Sequence, residues 1–271
     1  MRTIAGITAV LAIAGFTQAG TAAAAPQAAT PLDTLTACAT HADAPVLLIH
    51  GTNASVEKSL GPVRQALLDD GRCVYGLEYD SQQPISVSAD YFAAAVDRIT
   101  ELNGASSVDV VGKSQGALIA RATSLEFTAR PVNPVRAVVA VSGPQYGVGK
   151  TVAGVDIAPL VAPVIPPNTS ALTDMLAGSA YLTRLNSGPM VAPGVRYTMI
   201  ASRDDELVTP YTSAFIDAPG VTNIVLQDGC PDDHAGHIAE STDPRSVDLV
   251  LNALDPVRHP ALRCTPNEDR K

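Results

Sequence analysis

Residues 106–120, SSVDVVGKSQGALIA, leave the chain little freedom in what it can fold into. Val108, Val110 and Val111 make a short apolar β-branched run, and Ala117, Leu118, Ile119 and Ala120 begin an apolar helical one, so a strand turns into a helix across the few residues between them. The letters at that junction carry two meanings. Gly112-Lys113-Ser114 is the end of a phosphate-binding G-x-x-x-x-G-K-[ST] loop, and Gly112-x-Ser114-x-Gly116 is the strained strand-to-helix turn that exposes a nucleophilic serine. A phosphate loop needs a further glycine five places before Gly112, so that backbone N–H groups can wrap the phosphates without a Cβ in the way. Ser107 stands there, and Gly104 lies too far back. The exposed serine is the reading that survives.

The surrounding pattern suits such a turn. From about residue 45, apolar strand-like runs alternate with amphipathic helical ones, the signature of parallel β/α units. PVLLIHGT reads as a buried strand ending at Gly51, VRQALLDD as a helix stopped by Gly71, and CVYGLEY as the next strand. SVSADYFAAAVDRITELNG opens on a serine suited to cap a helix and closes on Gly104. VRAVVAVSG, VRYTMIAS and VTNIVLQD continue as strands, and DPRSVDLVLNAL as a terminal helix with Pro244 near its first turn. Between Gly143 and about Gly188 the alternation lapses into an apolar stretch rich in Gly and Pro, too long for a simple connection. Residues 144–188 are therefore expected to form a lid-like insertion, with Val155–Ile165 and Leu176 offering aliphatic contacts to a substrate chain.

The start of the chain has Arg2, an apolar run of about a dozen residues and then small residues, as a secretory signal peptide does; the run falls short of the roughly 20 residues that span a bilayer. Residues 1–25 are read as that peptide, with an approximate boundary, and residues 30–271 as a single domain acting outside the cell. Export places Cys38, Cys73, Cys230 and Cys264 in an oxidising compartment. Four cysteines allow three pairings. Neighbour pairing, Cys38 with Cys73 and Cys230 with Cys264, is favoured because each pair brackets one supersecondary unit. None of the spacings resembles the C-x-x-C of a zinc site. A net charge of −9 and a pI near 4.9 argue against nucleic acid or anionic membranes as partners. Aromatic residues at 4 %, with no Trp, argue against a stacking platform for sugars or bases.

A serine hydroxyl needs a base, and the base needs a carboxylate to hold its tautomer. Asp204, Asp205 and Glu206 follow the strand VRYTMIAS, where an acid can stand at a strand end. With the order serine, acid, histidine, the candidate bases are His234 and His237; His41 and His50 precede the serine, and His259 lies past the terminal helix as an ordinary surface residue. His50 is expected to support the loop after the first central strand. An oxyanion would meet the backbone N–H groups of Gln115, directly after the serine, and of Thr52, whose hydroxyl offers a third hydrogen bond.

Six ordered blocks, PVLLIHGT, VDVVGKSQGALIAR, AGSAYLTRLNSG, VRYTMIASRDDELVTPY, CPDDHAGHIAESTDP and VLNALDP, resemble the secreted bacterial class 2 triacylglycerol lipases and esterases, and are similar to yeast lipase B-type enzymes, over about residues 38 to 264. The resemblance implies the α/β-hydrolase fold and hydrolysis of carboxylic esters with no metal or organic cofactor. The insertion, broken by Pro163, Pro166 and Pro167 and without a long amphipathic helix, predicts a small rigid wall and so short to medium acyl chains. An acyltransferase, a polyester hydrolase or a non-catalytic surface protein of this fold are the alternatives. The resemblance places the acid at Asp205, the first residue of DELVTPY. For the base, the local match around His234 follows the yeast-type enzymes, whereas spacing from Cys230 and to VLNAL follows the bacterial ones and prefers His237. Ser114, Asp205 and His237 are thus the expected triad. Where the family commonly has a histidine before the nucleophile this chain has Lys113, whose charge either acts on the site or points to solvent. SGPQYGV also replaces the family's usual Pro-Asn-His-Gly-Thr type turn. The partner implied is a small-molecule or lipid ester, without stable membrane insertion, met by a monomer.

Overall fold

The computed structural model describes residues 27–39, 43–149 and 170–266. Strands β1 (Val46–Ile49), β2 (Val74–Gly76), β3 (Val108–Lys113), β4 (Val135–Val141), β5 (Arg196–Ala201) and β6 (Val221–Val225) pair in parallel, in the order β2-β1-β3-β4-β5-β6. Helices α1 (Val56–Asp69), α2 (Ile85–Asn103) and α3 (Gln115–Leu125) connect the first four strands, and α4 (Ser170–Asp174) and α5 (Ala180–Asn186) precede β5. Helix α6 (Pro244–Leu254) closes the described fold.

Every position of β1 and β3 is buried, as in a sheet covered on both faces. The two-residue period sorts the side chains of β1, β3 and β4. Leu47, Ile49, Val110 and Val138 join the core shared with α2 and α3, and Val46, Leu48, Val111 and Val139 the core shared with α1 and α6. Each such side chain contributes about 2 kcal/mol on burial. This double layer holds the carboxyl ends of β1, β3, β4 and β5 at one edge, where ligands of open α/β sheets are received.

Helix termini depart from the local reading in two places. Helix α1 starts at Val56, well before VRQALLDD, because the Ser55 hydroxyl accepts from the Lys58 N–H at 3.2 Å. It then passes Leu60, whose φ of −141° breaks the helix ahead of Pro62. Helix α2 is not capped by a serine: Pro84 precedes it, and the free Ile85 N–H donates to Asp174 of α4 at 2.9 Å, a tertiary cap. Its other end is as expected, with Gly104 left-handed at φ 58°. Asp243 caps α6 through the N–H groups of Arg245 and Ser246, with Pro244 in the first turn.

Both disulfides join neighbours, Cys38 with Cys73 and Cys230 with Cys264. Of the expected insertion at 144–188, residues 150–169 lie outside the described residues, and with them all of Val155–Ile165, including Leu160, Val161 and Val164; so does the leader at 1–25. Among the described residues no helix is long and apolar enough to cross a membrane.

Candidate active site

Strand β3 runs directly into Ser114, which takes φ 55° and ψ −122° before α3 begins at Gln115. That conformation is strained for a residue with a Cβ. It turns Oγ away from the sheet, and it requires α3 to pass close to β1. A Cβ on Gly116 would stand 2.1 Å from the Ile49 carbonyl oxygen, and one on Gly112 2.2 Å from the carbonyl oxygen of Gly116. Both clashes are with backbone, so no rotamer change relieves them. Gly116→Ala is therefore expected to cost roughly 3 kcal/mol, read as a lower midpoint of urea unfolding; a variant as stable as the parent would show that α3 is free to move off β1.

The structure brings Ser114, His237 and Asp205 together. Ser114 Oγ lies 2.9 Å from His237 Nε2, and His237 Nδ1 lies 2.7 Å from Asp205 Oδ2. The other oxygen of Asp205 accepts the N–H groups of Leu207 at 2.8 Å and Val208 at 2.7 Å. Burial alone would push the Asp205 carboxyl up. The hydrogen bond and charge of His237, the Val208 amide and the nearby Lys113 outweigh it and hold the group below the usual carboxylate range. An ionised, amide-anchored Asp205 fixes the Nδ1–H tautomer and leaves Nε2 free to accept the serine proton.

Each of the three consecutive acids has its own partner in the histidine loop. Asp204 accepts from His234 Nδ1 at 2.8 Å, Asp205 from His237 Nδ1, and Glu206 from the His237 backbone N–H at 2.9 Å. His234 is thus occupied at the surface and does not reach Ser114. His50 is fully buried, donates from Nδ1 to the Gly51 carbonyl at 2.8 Å and packs on Tyr79, and burial holds its pKa down. His259, expected as an ordinary surface residue, is part-exposed and pairs with Asp70 at 3.1 Å. Lys113 does not point to solvent either. Its side chain is 2 % exposed and ion-paired with Glu240. His41 lies outside the described residues.

Thr52 and Gln115 face each other, but differently from expectation. The Thr52 hydroxyl donates to Gln115 Oε1 at 2.6 Å instead of standing free, and Gln115 Nε2 donates to the Ser81 carbonyl at 3.0 Å. These bonds lock the two loops that carry the amides. The Gln115 N–H, first in α3, has no helical carbonyl behind it to accept it. In front of Ser114 lies a cavity of about 470 Å³ walled by Val148, Leu172, Met175, Val208 and Ile238 beside Thr52 and His237. Among the described residues no group of three or more His, Cys, Asp or Glu is placed to hold a metal ion.

The family model described as palmitoyl protein thioesterase matches residues 45–187, just over half of the chain. The chain belongs to this family. Among solved structures, a lipase B from Aspergillus fumigatus shares 21 % identity with a TM-score of 0.62, covering 78 % of this chain and 52 % of its own. The mature form of a Bacillus licheniformis lipase shares 16 % identity with a TM-score of 0.58, covering 84 % of this chain and 98 % of its own. At these identities the likeness speaks for the fold, which is that of the α/β hydrolases. The chain spans about half the length of the Aspergillus enzyme. No curated protein matches it. The thioesterase-family match ends at residue 187, so it takes in Ser114 and the strands before it but not Asp205 or His237. Sequence reasoning missed Glu240 and Ser142 in this family member, and it weighed Glu206 only as a candidate acid, not as the acceptor of the His237 N–H. The only local signal was that Glu240 follows His237 closely in HIAE.

Proposed function

We propose that this protein is a secreted serine hydrolase that cleaves carboxylic esters of short to medium acyl chains through an acyl-enzyme on Ser114. The observation that carries the proposal is the unbroken chain of hydrogen bonds from Ser114 Oγ through His237 to Asp205, at 2.9 Å and 2.7 Å. Ser114 Oγ attacks the ester carbonyl carbon while its proton passes to His237 Nε2. The carbonyl oxygen becomes an oxyanion and accepts from the backbone N–H groups of Gln115 and Thr52. Collapse breaks the bond to the leaving oxygen, which takes the proton from Nε2. Water then repeats the sequence on the acyl-Ser114 ester, giving the carboxylic acid and free enzyme. Asp205 holds the imidazolium formed at each step without taking its proton.

The leader at residues 1–25 and the two disulfides support secretion, with residues 30–271 as one catalytic domain. The apolar wall of Val148, Leu172, Met175 and Val208 supports acyl binding, and 144–188 is read as the lid-like element that completes it. Each methylene buried there adds about 0.8 kcal/mol, so kcat/KM on p-nitrophenyl esters is expected to rise about fourfold per carbon until the wall is filled, then fall. A flat series would remove this wall from the acyl site. A steep rise on long-chain emulsions would make the protein a true lipase instead. Because the family model is that of a thioesterase, an oxyester and a thioester of the same acyl group belong in the same assay. Stoichiometric labelling of Ser114 by a fluorophosphonate is expected, and an unlabelled protein would overturn the reading in favour of a non-catalytic binding protein of this fold.

A further inference from the structure

Beside the nucleophile lies a buried charged pair that the reaction does not consume. Lys113 Nζ lies 2.9 Å from Glu240 Oε2, with the two side chains 2 % and 0 % exposed. The buried hydroxyl of Ser142 donates to the same oxygen. Three elements meet in this contact. Lys113 ends β3 and directly precedes Ser114; Ser142 follows β4 with φ 47°; Glu240 sits in the short turn Ala239–Ser241 that comes just after His237. Removing two charges from water is costly, and a buried ion pair rarely stabilises a fold more than apolar side chains of the same size would. Glu240 is also poorly satisfied as a structural group, since its Oε1 is buried with no hydrogen-bond partner among the described residues. What the pair does supply is a direct link between the strand of the nucleophile and the turn of the base.

We propose that Lys113, Glu240 and Ser142 form a positioning unit that clamps the His237 turn to the ends of β3 and β4 and so sets Nε2 within reach of Ser114 Oγ. The other charged groups around His237 tie it elsewhere. Asp205 holds Nδ1 and Glu206 holds the backbone N–H, both from the loop after β5, and the Asp204–His234 pair bridges that same loop to the preceding turn. Among the described residues the Lys113–Glu240 bond is the side-chain hydrogen bond that joins β3 to residues 233–242. The kinetic consequences rest on the ester-cleaving reading of Ser114; the geometric ones do not.

The test uses the full-length protein with Lys113→Met, Glu240→Gln and the double variant. Each single change leaves one buried charge without its partner, whereas the double change removes both. Each single variant is expected to lose roughly 10- to 100-fold in kcat with KM within about twofold, and the double to return to within about fivefold of the parent. The proton between His237 Nδ1 and Asp205, observed as a low-field proton resonance, reads the same geometry without substrate: displaced or lost in the single variants and restored in the double. Single variants with parental kcat and an unmoved resonance overturn the clamp. So does a double variant whose loss is the product of the two single losses, because that is how independent sites behave. If the single variants do not fold, Ser142→Gly takes their place, since it removes one hydrogen bond, leaves no stranded charge and suits a positive φ; an unmoved resonance there overturns the clamp as well. A parent protein with no turnover and no fluorophosphonate labelling would defeat the ester reading, and the resonance would still decide for or against the clamp.

Discussion

Ser114→Ala is expected to lower turnover of an activated ester by about ten-thousand-fold or more, with the fold intact, because loss of the nucleophile disables the whole unit. The same logic grades the neighbours. His237→Ala is expected to match the serine change, since Nε2 at 2.9 Å is the acceptor within reach of Oγ. Asp205→Asn should also be severe: an amide in place of the carboxylate presents a donor to Nδ1 and favours the wrong tautomer. His234→Ala is the internal control. Its ring is spent on Asp204, at 40 % exposure, so a loss of no more than about threefold is expected, in line with a surface ion pair. Circular dichroism and melting curves of the four variants separate loss of chemistry from loss of fold. If His234→Ala abolishes turnover and His237→Ala spares it, the triad assignment is wrong.

The second large effect concerns the disulfides. Cys38–Cys73 closes a loop of 35 residues and Cys230–Cys264 one of 34. In the chain-entropy model each constrains the unfolded chain by about 3–4 kcal/mol, a large share of the 5–15 kcal/mol typical of a whole domain. The two differ in what else they hold. Cys38–Cys73 fastens the segment before β1 to the start of β2, and the Cys38 N–H donates to Asn103 at the end of α2. Cys230–Cys264 fastens the approach to the histidine loop to residues beyond α6. Replacing Cys230 and Cys264 together by Ser is therefore expected to lower stability by that amount and also to reduce turnover at temperatures where the fold persists. The Cys38/Cys73 pair of changes should lower stability alone. Urea midpoints and kcat at 25 °C check both, and a Cys230/Cys264 variant with parental stability would show that the C-terminal segment is held by its side-chain contacts instead.

The readable parts of this molecule were those encoded locally. A strand that meets its helix at Gly112-x-Ser114-x-Gly116 announces itself because only glycine tolerates the two backbone approaches, and the β/α order follows from apolar runs of strand and helix length. Helix ends were less legible where the partner is distant: nothing near Ile85 indicates that Asp174, 89 residues away, caps it. The histidine was legible only in part. His234 and His237 both sit beside acids in space, and the register of that loop on Asp204, Asp205 and Glu206 decides which ring faces Ser114. Lys113 with Glu240 was the least legible, because a lysine beside a nucleophile reads as a solvent or site charge until its partner, 127 residues later, is placed.

The non-glycine residues with positive φ among the described ones are Asn53, Ser114 and Ser142, at φ 52°, 55° and 47°. They follow β1, β3 and β4, so the backbone strain of this domain is gathered on one rim of the sheet. For directed evolution this makes the rim uneven ground. Glycine at position 53 would relax its backbone by roughly 1 kcal/mol, and selection for thermal endurance alone would drift towards it. The same drift at 142 would remove the hydroxyl that meets Glu240, and at 114 it would erase the proposed nucleophile. A library screened for heat resistance without an activity filter should therefore enrich changes at these positions first, and the hardiest clones should include those that have lost the Ser114 hydroxyl.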